Sequence, residues 1–188
     1  MKGKDLFIYA LLILFGIGTF ASSCKDSDDD PVFPPLDVGD VTSNRILISF
    51  TEAGKPATLA TFEYYSPNGA LANVDTIRLV RTGSGGIVRY ESAINFLMDN
   101  DTMTAKVEAR KESYIVCYRN LNGDNLRVGD FNLDKNRVPL GTTAMFSAVN
   151  EGTGSIRITM NYQPTGKEGL CDPGTRIIEA IMPYKITN

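Results

Sequence analysis

Apolar and polar side chains alternate along most of the chain beyond residue 44. The alternation is regular over residues 156–162, where Ile156, Ile158, Met160 and Tyr162 are separated by polar residues, and equally regular over residues 103–110. A period of two places every second side chain on one face of an extended strand, so both segments are predicted to be strands with one buried face. Further candidate strands cover residues 45–50, 59–65, 75–82, 87–90, 113–119, 125–130, 144–149 and 176–186.

Short runs rich in Gly, Asn and Asp separate these segments and favour hairpins or short loops. They lie at residues 68–69, 83–86, 99–101, 122–124 and 152–154. Residues 92–98 form the one predicted helical turn. The spacing predicts an all-β fold, an antiparallel β-sandwich, with an immunoglobulin-like topology as one option and a β-barrel as the alternative.

The N-terminus carries the one long apolar segment. Residues 6–20 are almost wholly apolar and follow Lys2 and Lys4. About 15 apolar residues suit the hydrophobic region of a signal peptide, whereas a membrane-spanning helix needs about 20. Residues 1–23 are therefore predicted to be a signal peptide, with an uncleaved anchor helix as the alternative.

The residues Ala21-Ser22-Ser23-Cys24 resemble the lipobox of bacterial lipoproteins, with Ala21 where that motif usually has Leu. The resemblance implies that Cys24 becomes the lipidated first residue, since its thiol can accept an acyl group. Two or more acyl chains, such as palmitate, anchor a protein stably in a membrane.

An acidic, proline-containing segment follows this cysteine and defines a predicted tether, residues 24–40. It begins Lys25-Asp26-Ser27-Asp28-Asp29-Asp30 and contains Pro31, Pro34 and Pro35. Its composition predicts a solvated linker, because like charges repel and extend the chain. It also resembles the export tether of Bacteroidetes surface lipoproteins, which implies the outer membrane and the cell surface, with the periplasmic face as the alternative.

The remaining segment, residues 41–188, has about 145 residues, the size of a single domain with its own core. The chain of 188 residues has a net charge of −3, and loss of the leader with two Lys and one Asp makes it −4. Because the chain is acidic and has no basic cluster to contact phosphates, nucleic-acid binding is excluded. The absence of His excludes Ser-His-Asp and Cys-His catalysis and His-ligated zinc.

Two cysteines remain after Cys24. Cys117 lies in a candidate strand, and Cys171 lies in a loop rich in Gly and Pro. In an oxidising compartment they are candidates for one disulfide, worth about 2–4 kcal/mol by chain entropy. Two unpaired thiols are the alternative, because the sequence does not show whether they are close.

Three short motifs suggest a ligand or a modification. Asp130, Asn132, Asp134 and Asn136 place four oxygen side chains at every second position, as a calcium loop does, although Lys135 stands where an EF-hand has Gly. A polar turn is the alternative, and no other cofactor is predicted. Thr76 and Thr102 lie in Asp-Thr-apolar triplets that resemble the O-glycosylation acceptor of Bacteroidetes.

The C-terminal part carries a broader resemblance. It begins with the segment Asp134-Lys135-Asn136-Arg137-Val138-Pro139-Leu140-Gly141. A candidate strand that ends Tyr162-Gln163-Pro164 comes next, and Lys167-Glu168-Gly169 follows it. Over about 60 residues this is similar to small Bacteroidetes lipoproteins of unknown function, where a His stands in place of Tyr162. The resemblance implies a sandwich domain and no known activity.

We therefore expect a non-catalytic β-sandwich that binds a glycan, an envelope protein or a transport complex. Binding would use loop residues, with Tyr64, Tyr65 and Tyr90 as candidates; filling of core or edge positions is the alternative for these tyrosines. A glycan hydrolase would instead need two carboxylates in one cleft, and a structural or adhesive subunit is the third hypothesis. Candidate carboxylates are Glu63, Glu91, Glu108, Glu112 and Glu179.

Overall fold

A computed structural model describes residues 45–66, 73–81, 86–98, 101–164 and 166–188, all of which belong to one compact unit. The leader, Cys24, the tether and the predicted turn at Asn68-Gly69 lie outside the described residues. Within the described ranges no helix is long and apolar enough to cross a membrane.

Eleven strands and one short helix make up this part of the chain. In chain order they are β1 (Arg45–Glu52), β2 (Thr58–Tyr65), β3 (Asn73–Val74), β4 (Ile77–Val80), β5 (Val88–Met98), β6 (Asp101–Thr102), α1 (Thr104–Ala109), β7 (Tyr114–Asn122), β8 (Leu126–Gly129), β9 (Thr143–Ala148), β10 (Gly152–Tyr162) and β11 (Thr175–Thr187). A 3-10 turn at Lys111–Ser113 leads into β7.

The strands form two sheets, which confirms the predicted all-β sandwich. The first sheet has the order β3-β2-β1-β5-β9-β8, with β6 paired to β5, and the second has the order β4-β11-β10-β7. Every pair is antiparallel except β4 and β11, which run parallel.

One apolar core lies between the sheets. In the first sheet, the ring of Phe50 makes edge-to-face contacts with Phe62, Tyr90 and Phe146 at centroid distances of 5.9, 6.5 and 5.0 Å. The second sheet contributes alternate residues of each strand, among them Ile156 and Ile158 of β10, to the same buried cluster. The alternation that identified the strands is therefore the division between this core and the two outer faces.

The prediction of a strand over residues 103–110 is wrong, because Thr104–Ala109 form α1. Met103 and Val107 are buried, whereas Ala105 and Ala109 are exposed. Positions i and i+4 share one face of a helix. Alanine, which is small and a strong helix former, had made a helical pattern resemble a period of two.

The helical turn predicted over residues 92–98 is also wrong, because these residues belong to β5. Ser92 is buried and donates a hydrogen bond from Oγ to the Ala144 carbonyl, while its neighbour Ala93 is exposed. Thus a polar residue faces the core and an apolar residue faces solvent, which hid the period of two.

The turn predicted at residues 152–154 is the beginning of β10. A Cβ atom at Gly154 would lie 2.3 Å from Cζ of Tyr184. The glycine is needed at this point because the tyrosine ring of β11 lies against the backbone, a common reason for glycine inside a strand.

Candidate functional site

A groove of about 440 Å³ lies on the outer face of the first sheet. Because β1 buries Ile48 and Phe50, the alternate residues Ser49 and Thr51 point outward. The groove is lined by residues of four strands and the residue that follows β8: Ser49, Thr51, Thr58, Glu91, Ser92, Ala93, Asp130, Thr143, Ala144 and Met145.

The strand register arranges the outward side chains in two rows. Ser49 lies opposite Ala93, and Ala93 lies opposite Thr143. The next row crosses four strands and consists of Thr58, Thr51, Glu91 and Met145. The first row consists of small side chains, which leaves room above the sheet and accounts for the depression.

Two carboxylates border this groove. Glu91 and Asp130 are both exposed, and no lysine or arginine is among the described residues that line it. Asp130 has a φ of 49°, a left-handed conformation that costs a non-glycine residue roughly 1 kcal/mol and that Asp tolerates better than most. The groove therefore presents hydroxyl groups and two negative charges to a ligand.

The other candidate carboxylates have partners elsewhere. Glu63 pairs with Arg45, Glu108 accepts a hydrogen bond from Thr142, Glu112 lies 3.9 Å from Lys135, and Glu179 pairs with Arg157 and Arg176. Of the five glutamates proposed from the sequence, Glu91 is the one that lines the groove.

The predicted calcium residues do not share one role. Asp134 is buried, and its Oδ1 accepts hydrogen bonds from the amides of Asn136 and Val138 at 2.8 and 2.9 Å. Its Oδ2 lies 3.0 Å from Nζ of Lys167, and both side chains are 1% exposed. A lysine ammonium thus occupies the cation position beside this carboxylate.

Burial by itself would raise the pKa of Asp134. The hydrogen bonds from Val138 and Lys167, the charge of Lys167 and the hydrogen bond from Asn136 outweigh burial and hold this pKa below the ordinary value of Asp.

The other three residues of that motif have different surroundings. Asn132 donates to Thr142 Oγ1 and accepts from the Thr143 amide, while Asp130 lines the groove and Asn136 is exposed. Among the described residues no group of three or more His, Cys, Asp or Glu could hold a metal ion. Calcium binding stays a prediction from the sequence.

Lys167 belongs to the segment with the predicted lipoprotein resemblance, but no role was predicted for it from the sequence. Its Nζ donates to the carbonyls of Lys111 and Tyr114 at 2.8 and 3.0 Å, in addition to its contact with Asp134. Nζ therefore makes two hydrogen bonds to carbonyls and one ion pair. A lysine within a Gly-rich loop gives no sequence signal for burial, because lysine is usually exposed.

A disulfide joins Cys117 of β7 to Cys171, with Cα atoms 6.0 Å apart. It ties down the β10–β11 loop, residues 163–174, of which residue 165 is not described. Asn161 donates to the Cys171 carbonyl, and Nε2 of Gln163 donates to the carbonyls of Leu170 and Pro173. Together with Lys167, these contacts fix both ends and the middle of the loop.

The remaining candidate residues lie at the surface or in the core. Thr102 is exposed in β6, and Thr76 is half-buried just before β4. Tyr90 is buried, and its hydroxyl donates to the Val80 carbonyl, so it belongs to the core. Tyr64 packs against the core, whereas Tyr65 is 41% exposed beside Arg45, and none of the three lines the groove.

Comparison of the chain with protein-family models, with curated proteins and with solved structures found no match.

Proposed function

We propose that this chain is a lipid-anchored envelope lipoprotein whose β-sandwich binds a neutral glycan, without catalysis, in the groove of the first sheet. The observation that carries the proposal is the lining: serine and threonine hydroxyls, two carboxylates and, among the described residues, no basic side chain. The lipobox resemblance at Cys24 and the acidic tether support attachment to the outer membrane, on its surface, with the periplasmic face as the alternative.

The chemistry of the lining fits the chemistry of a sugar. Sugar hydroxyls donate and accept hydrogen bonds; serine and threonine do both, and the carboxylates of Glu91 and Asp130 accept. Ala93 and Met145 offer apolar contact to sugar C–H groups. An anionic ligand would be repelled by the two carboxylates, which is why a neutral glycan is favoured. The volume of about 440 Å³ lies within the usual range of ligand sites, roughly 300–1,000 Å³.

Calorimetry of the full chain against neutral and acidic oligosaccharides tests this proposal. We expect binding of a neutral glycan that Glu91→Gln weakens about 10- to 100-fold, because a hydrogen bond to a charged group contributes about 1.5–3 kcal/mol. Glu168→Gln is the matched control, since Glu168 is exposed and does not line the groove. Equal losses in both variants, or binding confined to acidic glycans, would contradict the proposal.

A glycan hydrolase is the second candidate, and the presence of Glu91 and Asp130 in one groove favours it. Both carboxylates are exposed, whereas the acid of such an enzyme usually lies in an apolar environment that favours its protonated form. Release of reducing ends from a bound glycan, lost in both Glu91→Gln and Asp130→Asn, would replace the binding proposal with hydrolysis.

Two experiments test the proposed attachment. Labelled palmitate should enter the wild-type protein and not Cys24→Ala, and equal labelling of both would exclude lipidation at this residue. Protease treatment of intact cells should degrade the protein if it lies on the surface, whereas protection would place it on the periplasmic face.

A further inference from the structure

A second concavity, of about 530 Å³, lies on the outer face of the second sheet. It is formed by β4, β10 and β11 with the last residue of β7. The residues that line it are Thr76, Arg78, Asn122, Thr153, Gly154, Ser155, Pro183, Tyr184 and Lys185.

Two cations lie side by side in this concavity. Arg78 and Lys185 are opposite one another in the parallel pair of β4 and β11, and both are exposed. Among the described residues neither side chain forms an ion pair. Like charges directly opposite destabilise a sheet, so this arrangement costs free energy that a bound anion would offset.

Neutral donors surround the two cations. Thr153 follows Lys185 in the same row of the sheet, and Thr76, Ser155 and Asn122 complete the lining. Their hydroxyl and amide groups can donate hydrogen bonds to the oxygens of an anion. No acidic residue is among the described residues that line the concavity.

The sheet beneath the concavity packs tightly against the core. Tyr184 alternates with Lys185 along β11, so its ring points to the core side, where it lies against Gly154; a Cβ atom there would come within 2.3 Å of Cζ. The Tyr184 hydroxyl lies 3.3 and 3.4 Å from the carbonyl oxygens of Asn122 and Gly123, which share its one proton. These contacts hold the strands together beneath the two cations, so a ligand would meet a backbone surface that is already formed.

We propose that this concavity binds a phosphate group through Arg78 and Lys185. A phosphate monoester carries a charge of about −1.5 to −2 at pH 7, which matches two adjacent cations better than the single charge of a carboxylate. The phosphate can belong to a soluble compound or to a lipid headgroup, which present the same chemistry to the site. This inference is independent of the glycan groove, which lies on the other sheet.

Titration of the detergent-solubilised full chain with inorganic phosphate, followed by calorimetry and NMR, tests the proposal. We expect saturable binding that Arg78→Gln or Lys185→Gln weakens at least about tenfold and that the double variant abolishes. Micelles doped with phosphatidic acid, compared with micelles of phosphatidylcholine, distinguish the two sources of the phosphate. If phosphatidic acid competes with inorganic phosphate, the site takes a lipid phosphate; if it does not compete, the site takes a soluble phosphate.

The matched control is the double variant Arg89→Gln, Arg127→Gln. These two exposed arginines flank Ser147 in one row on the outer face of the first sheet. The control should bind phosphate as the wild type does, and no variant should have a lower melting temperature. Arg78→Gln and Lys185→Gln should raise it slightly, because each removes the repulsion between the two cations. Equal weakening in this control, or no saturable binding of either phosphate or phosphatidic acid, would overturn the proposal.

Discussion

Removal of one partner from the buried ion pair of Asp134 and Lys167 should destabilise this domain strongly. At the observed 3.0 Å, two unit charges attract by about 5–6 kcal/mol with an effective dielectric constant of about 20. The cost of removing both charges from water opposes this attraction. Loss of one partner leaves the other charge buried and unpaired, which usually costs about 3–5 kcal/mol.

We therefore expect Asp134→Asn to lower the free energy of unfolding by about 3–5 kcal/mol and the melting temperature by on the order of 10 °C. Lys167→Met should have a similar effect, because it leaves the carbonyls of Lys111 and Tyr114 without their donor. The double variant should lose less than the sum of the single losses, with a coupling energy of about 0.5–3 kcal/mol.

Urea denaturation of the wild type, the two single variants and the double variant measures these losses and the coupling energy. The matched control is Glu52→Gln, which breaks the pair of Glu52 and Lys55, whose side chains are 30% and 64% exposed. Exposed pairs contribute about 0–1 kcal/mol. If Asp134→Asn cost no more than Glu52→Gln, or if the two single losses were additive, the reasoning from burial and coupling would be refuted.

Four further outcomes follow from the described contacts. The pKa of Asp134 is lower in the folded protein than in the unfolded chain, so ionised Asp134 stabilises the fold. This stabilisation is complete above the unfolded-state pKa of about 3.9 and is lost as the pH falls through the folded-state pKa. Acid unfolding should therefore be less steep in Asp134→Asn. Replacing Cys117 and Cys171 by Ser should cost up to about 4 kcal/mol in urea denaturation, since the disulfide closes a separation of 54 residues, and an unchanged midpoint would show that it does not constrain the unfolded chain. Gly141→Ala should destabilise far more than Gly54→Ala: both glycines have a φ near +83°, but a Cβ at Gly141 would lie 2.3 Å from the Val116 carbonyl oxygen, whereas Gly54 faces open space. If the motif of Asp130 to Asn136 holds calcium, added calcium should raise the melting temperature and Asp130→Asn should reduce the rise, whereas no shift would remove that hypothesis.

The fold class was predictable because the core uses alternate positions of long strands. In β10 and β11 the residues that belong to the core cluster follow a period of two, and this pattern can be read from the sequence. The two wrong elements are short or atypical: α1 has six residues with alanine on its exposed face, and β5 buries Ser92 and exposes Ala93. In both cases tertiary contacts, with β5 for α1 and with the Ala144 carbonyl for Ser92, outweigh local preference.

The candidate sites were less predictable than the fold. The groove depends on which strands are neighbours, because Ser49, Ala93 and Thr143 are far apart in the chain and meet through the order β1-β5-β9. The pair of Arg78 and Lys185 depends in the same way on the parallel alignment of β4 with β11. Neither set carries a local motif, so neither could be recognised from spacing.

Several residues of the segment from which a lipoprotein resemblance was predicted stabilise the fold. Asp134 and Lys167 form the buried ion pair, and Gln163 holds the β10–β11 loop. These residues therefore act within the scaffold, apart from the groove and the proposed phosphate site.

By itself the sequence determined the all-β class, the polar and apolar faces of most strands and the exclusion of histidine chemistry, because these depend on composition and on a local period of two. The tertiary structure alone decided the strand order, the pairing of Cys117 with Cys171, the burial of Lys167 and the location of both concavities. Those features depend on contacts between residues distant in the chain, whose energies no local pattern encodes.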